Sequence, residues 1–214
     1  MSWAGIDVGG RRKGFHGAAV DGTKVIKGPH RLGGVDEVMR WLFAIEPEVV
    51  ALDSPKTCAR RGERSRECER ELMKAICGIR WTPEAAELEG NKYYEWIRCG
   101  RELYEALKRE TSRRGWQVIE VFPTASWTVW AGKRGETRAR WTHEALAGMK
   151  LEGLPSRRIN QDDRDAIAAA LTARLHSEGQ TTNFGEIVVP AQMCVRCVPA
   201  GRCRSGTPSA VGAR

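Results

Sequence analysis

The stretch Ala4-Gly5-Ile6-Asp7-Val8-Gly9-Gly10 decides the reading of this chain, together with its counterpart Val49-Val50-Ala51-Leu52-Asp53-Ser54-Pro55. Each is a short apolar run that ends on an acid and meets a turn. Runs of this kind read as buried strands, and a carboxylate at a strand's carboxyl end lies where α/β sheets build their sites. If the two strands are neighbours, Asp7 and Asp53 face each other across one sheet edge. That geometry suits divalent metal ions and phosphate chemistry.

Outward from these strands the pattern is α/β. Residues 3–8, 15–20 and 23–27 read as three strands, with Asp21-Gly22 a hairpin turn between the second and third. Val35, Val38, Met39, Leu42 and Ile45 recur at helical spacing and stop before Pro47. Val49 to Leu52 form a fourth strand, parallel and adjacent to the first in a mixed sheet. Residues 56–112 read as a mostly helical insertion, its longer apolar stripe starting after Asn91 as a candidate N-cap. Trp116 to Phe122 is a fifth strand, with short helices expected over 124–130 and 136–149. An alanine-rich helix runs from about Asp162 to Leu175, and Ile187-Val188-Val189 adds an edge strand. The tail after Pro190 has no apolar period and is expected to be disordered, leaving 1–190 as one domain and 191–214 as a basic appendage.

Composition excludes more than it assigns. The net charge of +8 is compatible with a polyanionic partner, but half of it lies in residues 191–214, which carry four arginines and no acid. Met1-Ser2-Trp3 leads into strand-like sequence without the basic and apolar regions of a signal peptide. No apolar stretch approaches the roughly 20 residues that span a bilayer. Seven cysteines, odd in number and irregularly spaced, fit a reducing cytoplasm better than a disulfide framework.

The third acidic element is Gln161-Asp162-Asp163-Arg164-Asp165-Ala166-Ile167-Ala168-Ala169-Ala170. Asp162 and Asp165 lie on one helical face, and the alanines let the helix pack closely on a sheet. Acids in a first turn also cap a helix and favour its dipole, by roughly 0.3–1 kcal/mol. Capping needs one or two acids; here there are three in four positions. Glu120, on the side of the fifth strand shared with Trp116, Val118 and Phe122, is either paired with an arginine or set near a metal. Two carboxylates about 5 Å apart repel by roughly 3 kcal/mol at an effective dielectric of 20. Four converging acids therefore need cations, and Mg²⁺ or Mn²⁺ prefer such oxygen ligands. If the acids do not converge, Asp53 is a turn residue and Asp7 ends a strand.

Taken in order, Ile-Asp-Val-Gly, Leu-Asp-Ser-Pro, Glu-Val-Phe-Pro and Asp-x-x-Asp-Ala-Ile-Ala-x-Ala resemble the predicted RNase H-fold nuclease family known as domain of unknown function 429, over about residues 3–190. The last motif is also similar to the final helix of Holliday-junction resolvases. The resemblance implies an RNase H-like fold: a five-stranded mixed sheet of order 3-2-1-4-5, flanked by helices, with a helical insertion between strands 4 and 5. It further implies a metal-dependent phosphodiesterase acting on nucleic acid, DNA or RNA. Asp7, Asp53, Asp162 and Asp165 would be its metal ligands, with Glu120 nearby and magnesium or manganese as the ion. Resolvases usually carry Glu where this chain has Asp53, which reaches one carbon less far. Lys56-Thr57-Cys58-Ala59 is also more polar than the Gly-Leu-Pro of many family members.

Arg60 and Arg64, in the basic run after the Asp53 strand, can hold substrate phosphates beside metals, or belong to an ordinary solvated helix. Cys194, Cys197 and Cys203 offer three ligands where structural zinc takes four, so the tail reads as an unstructured extension. The four histidines fall in unrelated settings, and most tryptophans occupy core positions. Two other function classes remain open. Asp7-Val8-Gly9-Gly10 imitates the phosphate loop of the sugar kinase, Hsp70 and actin superfamily, although the chain has room for only one such unit. The other is an inactive RNase H-fold binding module.

Overall fold

The computed structural model describes residues 1–132 and 137–191. The Cys194, Cys197 and Cys203 tail, and the disorder expected of it, lie outside the described residues.

Strands buried on both faces build the centre of the sheet. Strands β1 (Trp3–Val8), β2 (Phe15–Asp21) and β3 (Lys24–Leu32) form an antiparallel meander. Helix α1 (Val35–Phe43) then carries the chain over one face to β4 (Val49–Asp53), which pairs parallel with β1. After α2 (Glu67–Ala75), α3 (Ala85–Gly90), a single 3-10 turn and α4 (Glu95–Arg114), strand β5 (Gln117–Val121) pairs parallel with β4. Helices α5 (Pro123–Ala131), α6 (Arg138–Gly148) and α7 (Gln161–Ser177) follow, and β6 (Thr181–Phe184) and β7 (Ile187–Pro190) close the described chain.

The sheet has seven strands in the order β3-β2-β1-β4-β5-β7-β6. The expected order of the first five is present; the count is not. The segment 187–189 belongs to β7, which lies inside the sheet, because Thr181–Phe184 adds an outer strand. That outer segment is short, polar and half exposed, the pattern of an edge strand, and offers no apolar alternation to read.

Two cores sandwich the sheet. On one face Trp3, Ala18, Val49, Ala51 and Ile119 meet α7, Trp127 and Trp141. On the other Ile6, Val8, Leu52 and Val118 meet α1 and α4. Helix α7 is the central helix and is buried almost all round. Its alanines allow an unusually close approach to β1: a methyl group at Gly5 would overlap the backbone of Ala166 and Ala170. Gly100 does the same for α4, leaving room for Ser54 at the end of β4. These two glycines bring both helical layers onto the strand ends that carry Asp7 and Asp53.

Candidate carboxylate metal centre

Period-two alternation sorts the acids by face. Trp3, Gly5 and Asp7 point toward α7, as do Val49, Ala51 and Asp53. Asp7 and Asp53 are direct partners in the parallel register. The N-terminal part of α7 brings Asp165 close enough for its charge to act on both. Asp7 and Asp165 are both almost wholly buried, at 7% and 2% exposure.

The carboxylates act on one another. Burial raises the Asp7 pKa well above the ordinary range, and the charges of Asp53, Asp165 and Asp162 push it further, against Lys13. Asp53 is pushed up to about 7, first by burial and then by Asp165 and Glu120, with Arg138 and a hydrogen bond with Asp7 opposing. Asp165 is raised by burial too, offset by Arg138 and by hydrogen bonds from Gln161 and Trp127. The Oδ2 atom of Asp7 is buried without a hydrogen-bond partner. An uncompensated buried carboxylate oxygen is costly, and a hard cation would relieve it.

The chain supplies two cations of its own here. Arg138 donates to Asp165 Oδ1 at 2.8 Å, beside Gln161 Nε2 at 3.0 Å and Trp127 Nε1 at 3.2 Å. Lys13 donates to Asp162 at 2.8 Å; burial lowers its pKa, but that bond and the charges of Asp7, Asp162 and Asp165 raise it on balance. Among the described residues, no three His, Cys, Asp or Glu side chains already stand in a ligand arrangement around one point. The all-oxygen donor set and the orphaned Asp7 Oδ2 nevertheless fit Mg²⁺ or Mn²⁺.

Asp162 and Asp165 share the helix face as expected, and Asp163 takes a different part. It caps α7 reciprocally with Asn160 and binds Arg157 at 2.6 Å and His16 Nδ1 at 2.8 Å. Burial raises its pKa, but those partners outweigh it and lower the value overall.

Glu120 lies on the other face. It pairs in register with Leu52, not Asp53, and so points away from α7. There Arg66 grips it with two bonds, at 2.5 and 2.9 Å, while the backbone N–H of Lys56 donates at 2.7 Å. Of the two readings of Glu120, arginine pairing is the one realised; its charge reaches Asp53 only as a field. Arg60 and Arg64, the cations expected to hold phosphates, are both exposed and make no ion pair with a described residue.

Sequence reasoning missed Lys13, His16, Arg138 and Trp127. Lys13 carried a signal, since Arg11-Arg12-Lys13 follows the Asp7 strand inside a turn closed by Gly9 and Gly14. His16 belongs to this neighbourhood because β1 and β2 place it opposite Asp7, but its position depends on the length of that turn. Arg138 and Trp127 carry no local signal, because packing of α5 and α6 on α7 delivers them.

A family model described as "Protein of unknown function (DUF429)" matches residues 5–188. The chain belongs to the DUF429 family. Among solved structures it is similar to T. thermophilus RuvC in complex with a Holliday junction substrate, at 17% identity and a TM-score of 0.50, covering 84% of this chain and 96% of that one. A second Thermus thermophilus RuvC structure matches at 20% identity and a TM-score of 0.44, over 84% and 97% of the two chains. No curated protein sequence matches this one. The likeness establishes the fold: this DUF429 protein is RNase H-like, with two strands beyond the five expected. Among its described residues no helix is long and apolar enough to cross a membrane.

Proposed function

We propose that this protein is a metal-dependent nuclease that cleaves phosphodiester bonds in nucleic acid. The observation that carries the reading is the Asp7–Asp53 pair, two carboxylates in direct register with one buried oxygen left without a partner. Asp7, Asp53 and Asp165 would hold Mg²⁺ or Mn²⁺, with Asp162 at the rim. Such ions, when bound, activate water and stabilise the leaving oxygen of a phosphodiester. Trp127 and Gln161 orient Asp165, and Lys13 and Arg138 moderate the negative field that would otherwise repel a polyanion. Glu120 supports the site from behind, through Arg66 and the Lys56 backbone, rather than as a ligand. Arg60 and Arg64 are proposed phosphate contacts. The solved RuvC complex contains a Holliday junction, which favours nucleic acid as the substrate class here. Cys58, Cys68 and Cys99 are thiols, in keeping with a cytoplasmic location.

The test is cleavage of labelled DNA and RNA by purified protein with Mn²⁺ or Mg²⁺, with Asp7→Asn abolishing it. Cleavage that survives the substitution, or that is absent on every nucleic acid tried, overturns the reading. The Arg138–Asp165 and Lys13–Asp162 bonds favour a second reading, an inactive module whose acids are neutralised internally. Such a protein would bind nucleic acid with no response to divalent ions.

A further inference from the structure

Most tryptophans of the chain are buried, but Trp81 is 44% exposed, and Tyr93 is 57% exposed. Both belong to the insertion between β4 and β5, and both are tied to the strand ends that carry the acids. The Trp81 segment is held against the chain just beyond Asp53. The N–H of Ala59 donates to the carbonyl of Pro83 at 3.1 Å, and the N–H of Thr82 donates to buried Glu69 at 3.0 Å. The Tyr93 segment is held against the loop just beyond Asp7. Asn91 caps the Tyr93 N–H at 2.9 Å, and Glu95, at the start of α4, accepts from the N–H of Arg11 at 3.0 Å. Two exposed aromatic rings thus stand on segments anchored to the chain that follows Asp53 and to the loop that follows Asp7.

Their surroundings carry both charges, and several of the cations are exposed. The Arg80 guanidinium lies over the Tyr93 ring, 6.0 Å from its centre. Arg60, Arg61 and Lys92 are exposed and make no ion pair with a described residue. Some of the interspersed acids are engaged locally: Glu84 accepts from the Gly62 N–H at 2.9 Å, Glu87 from the Tyr94 hydroxyl at 3.3 Å, and Glu63 binds Arg70, while Glu89 is exposed. A protein-docking surface would need contiguous apolar area at its centre. Trp81 and Tyr93, the latter packed edge-on against Tyr94 at 5.0 Å, are exposed rings beside exposed cations, as a single nucleic acid strand requires, whose bases stack on aromatic faces while its phosphates meet arginine and lysine.

We propose that Trp81 and Tyr93 are stacking platforms for unpaired bases, so that the strand delivered to the carboxylates is single-stranded or locally unpaired nucleic acid. This rests on the nuclease reading for its choice of partner, and it adds the substrate class. A fully paired duplex keeps its base faces stacked on one another and presents none along its length to these rings.

The experiment is fluorescence anisotropy of labelled oligothymidylate and oligouridylate about 20 nucleotides long, and of a duplex of equal length, in EDTA so that nothing is cut. The expected result is preference for the single strands, with Trp81→Ala and Tyr93→Ala each weakening them by about 5- to 150-fold. Tyr93→Phe and Trp81→Phe should stay near wild type, and duplex affinity should change little in all four. Because both rings are exposed, melting temperature serves as the control for folding. Duplex preference, absence of single-strand binding, or single-strand affinity unchanged in both alanine variants overturns the proposal. If the wild type cuts nucleic acid with Mn²⁺ while the alanine variants bind normally, the stacking proposal fails and the nuclease reading stands. Ring-dependent binding without cleavage under any metal upholds the stacking proposal and removes the nuclease reading.

Discussion

The two faces of the sheet carry two carboxylate clusters, one on β5 and α2 and the other on β1, β4 and α7, that differ in how their charge is met. On the insertion side, Glu120 and Glu69 are buried, and both bind Arg66; Glu69 also takes the Thr82 N–H and hydroxyl. Burial raises the Glu120 pKa, while two arginine bonds and a backbone donor counter it. On the α7 side, Asp7 and Asp53 stand in register with no such fork between them, and the Asp7 Oδ2 has no partner. A satisfied buried ion cluster is what a fold needs to pin an insertion to its sheet. Under the proposed function, the unsatisfied one is the side that a cation and substrate would complete.

Breaking the satisfied cluster should have the largest effect. Arg66→Ala leaves Glu120 and Glu69 buried without their cation and should cost about 3–5 kcal/mol in urea unfolding. A loss below about 1 kcal/mol would show that the two clusters do not differ as described. Next is Gly5→Ala, which drives a methyl into the α7 backbone and should cost about 1–3 kcal/mol while pushing Asp165 away from Asp7. Its measurable signature is loss of any Mn²⁺ response in protein that still folds.

The pH dependence sharpens the comparison further. Asp53 has its pKa raised from 3.8 to about 7 in the folded state, so the native protein binds more protons than the unfolded chain between those values. Stability of the metal-free protein should therefore fall as pH rises from about 4 to 7, and Asp53→Asn should flatten that slope. An unchanged slope would place the titration elsewhere. Smallest of all, Trp81→Ala and Tyr93→Ala should shift stability by no more than about 0.5 kcal/mol, since both rings are exposed.

The placement of Asp7, Asp53 and Asp165 was legible because each adjoins a strong apolar signal: two buried strands and an alanine-rich helix. The face of Glu120 was legible as well, since alternation grouped it with Trp116 and Val118. Its consequence was not, because only the register of β5 on β4 shows that this face is opposite to Asp53. The partner arginine is Arg66 rather than Arg60 or Arg64, a matter of where α2 starts. Arg138 and Lys13 come from a helix and a loop whose placement depends on tertiary packing, so no local pattern announces their partners.

Whether the α7-side carboxylates form a cation site is tested most directly by thermal unfolding of the wild type and Asp7→Asn across a Mn²⁺ titration. At a hundredfold excess over Kd, a specific ion stabilises the native state by about 2.7 kcal/mol. For a chain of this size that is a rise of about 5–10 °C in Tm, growing with the logarithm of the ion concentration. The wild type should show that rise, and Asp7→Asn should respond flatly. A wild type that does not respond, or a variant that responds equally, would contradict the cation site.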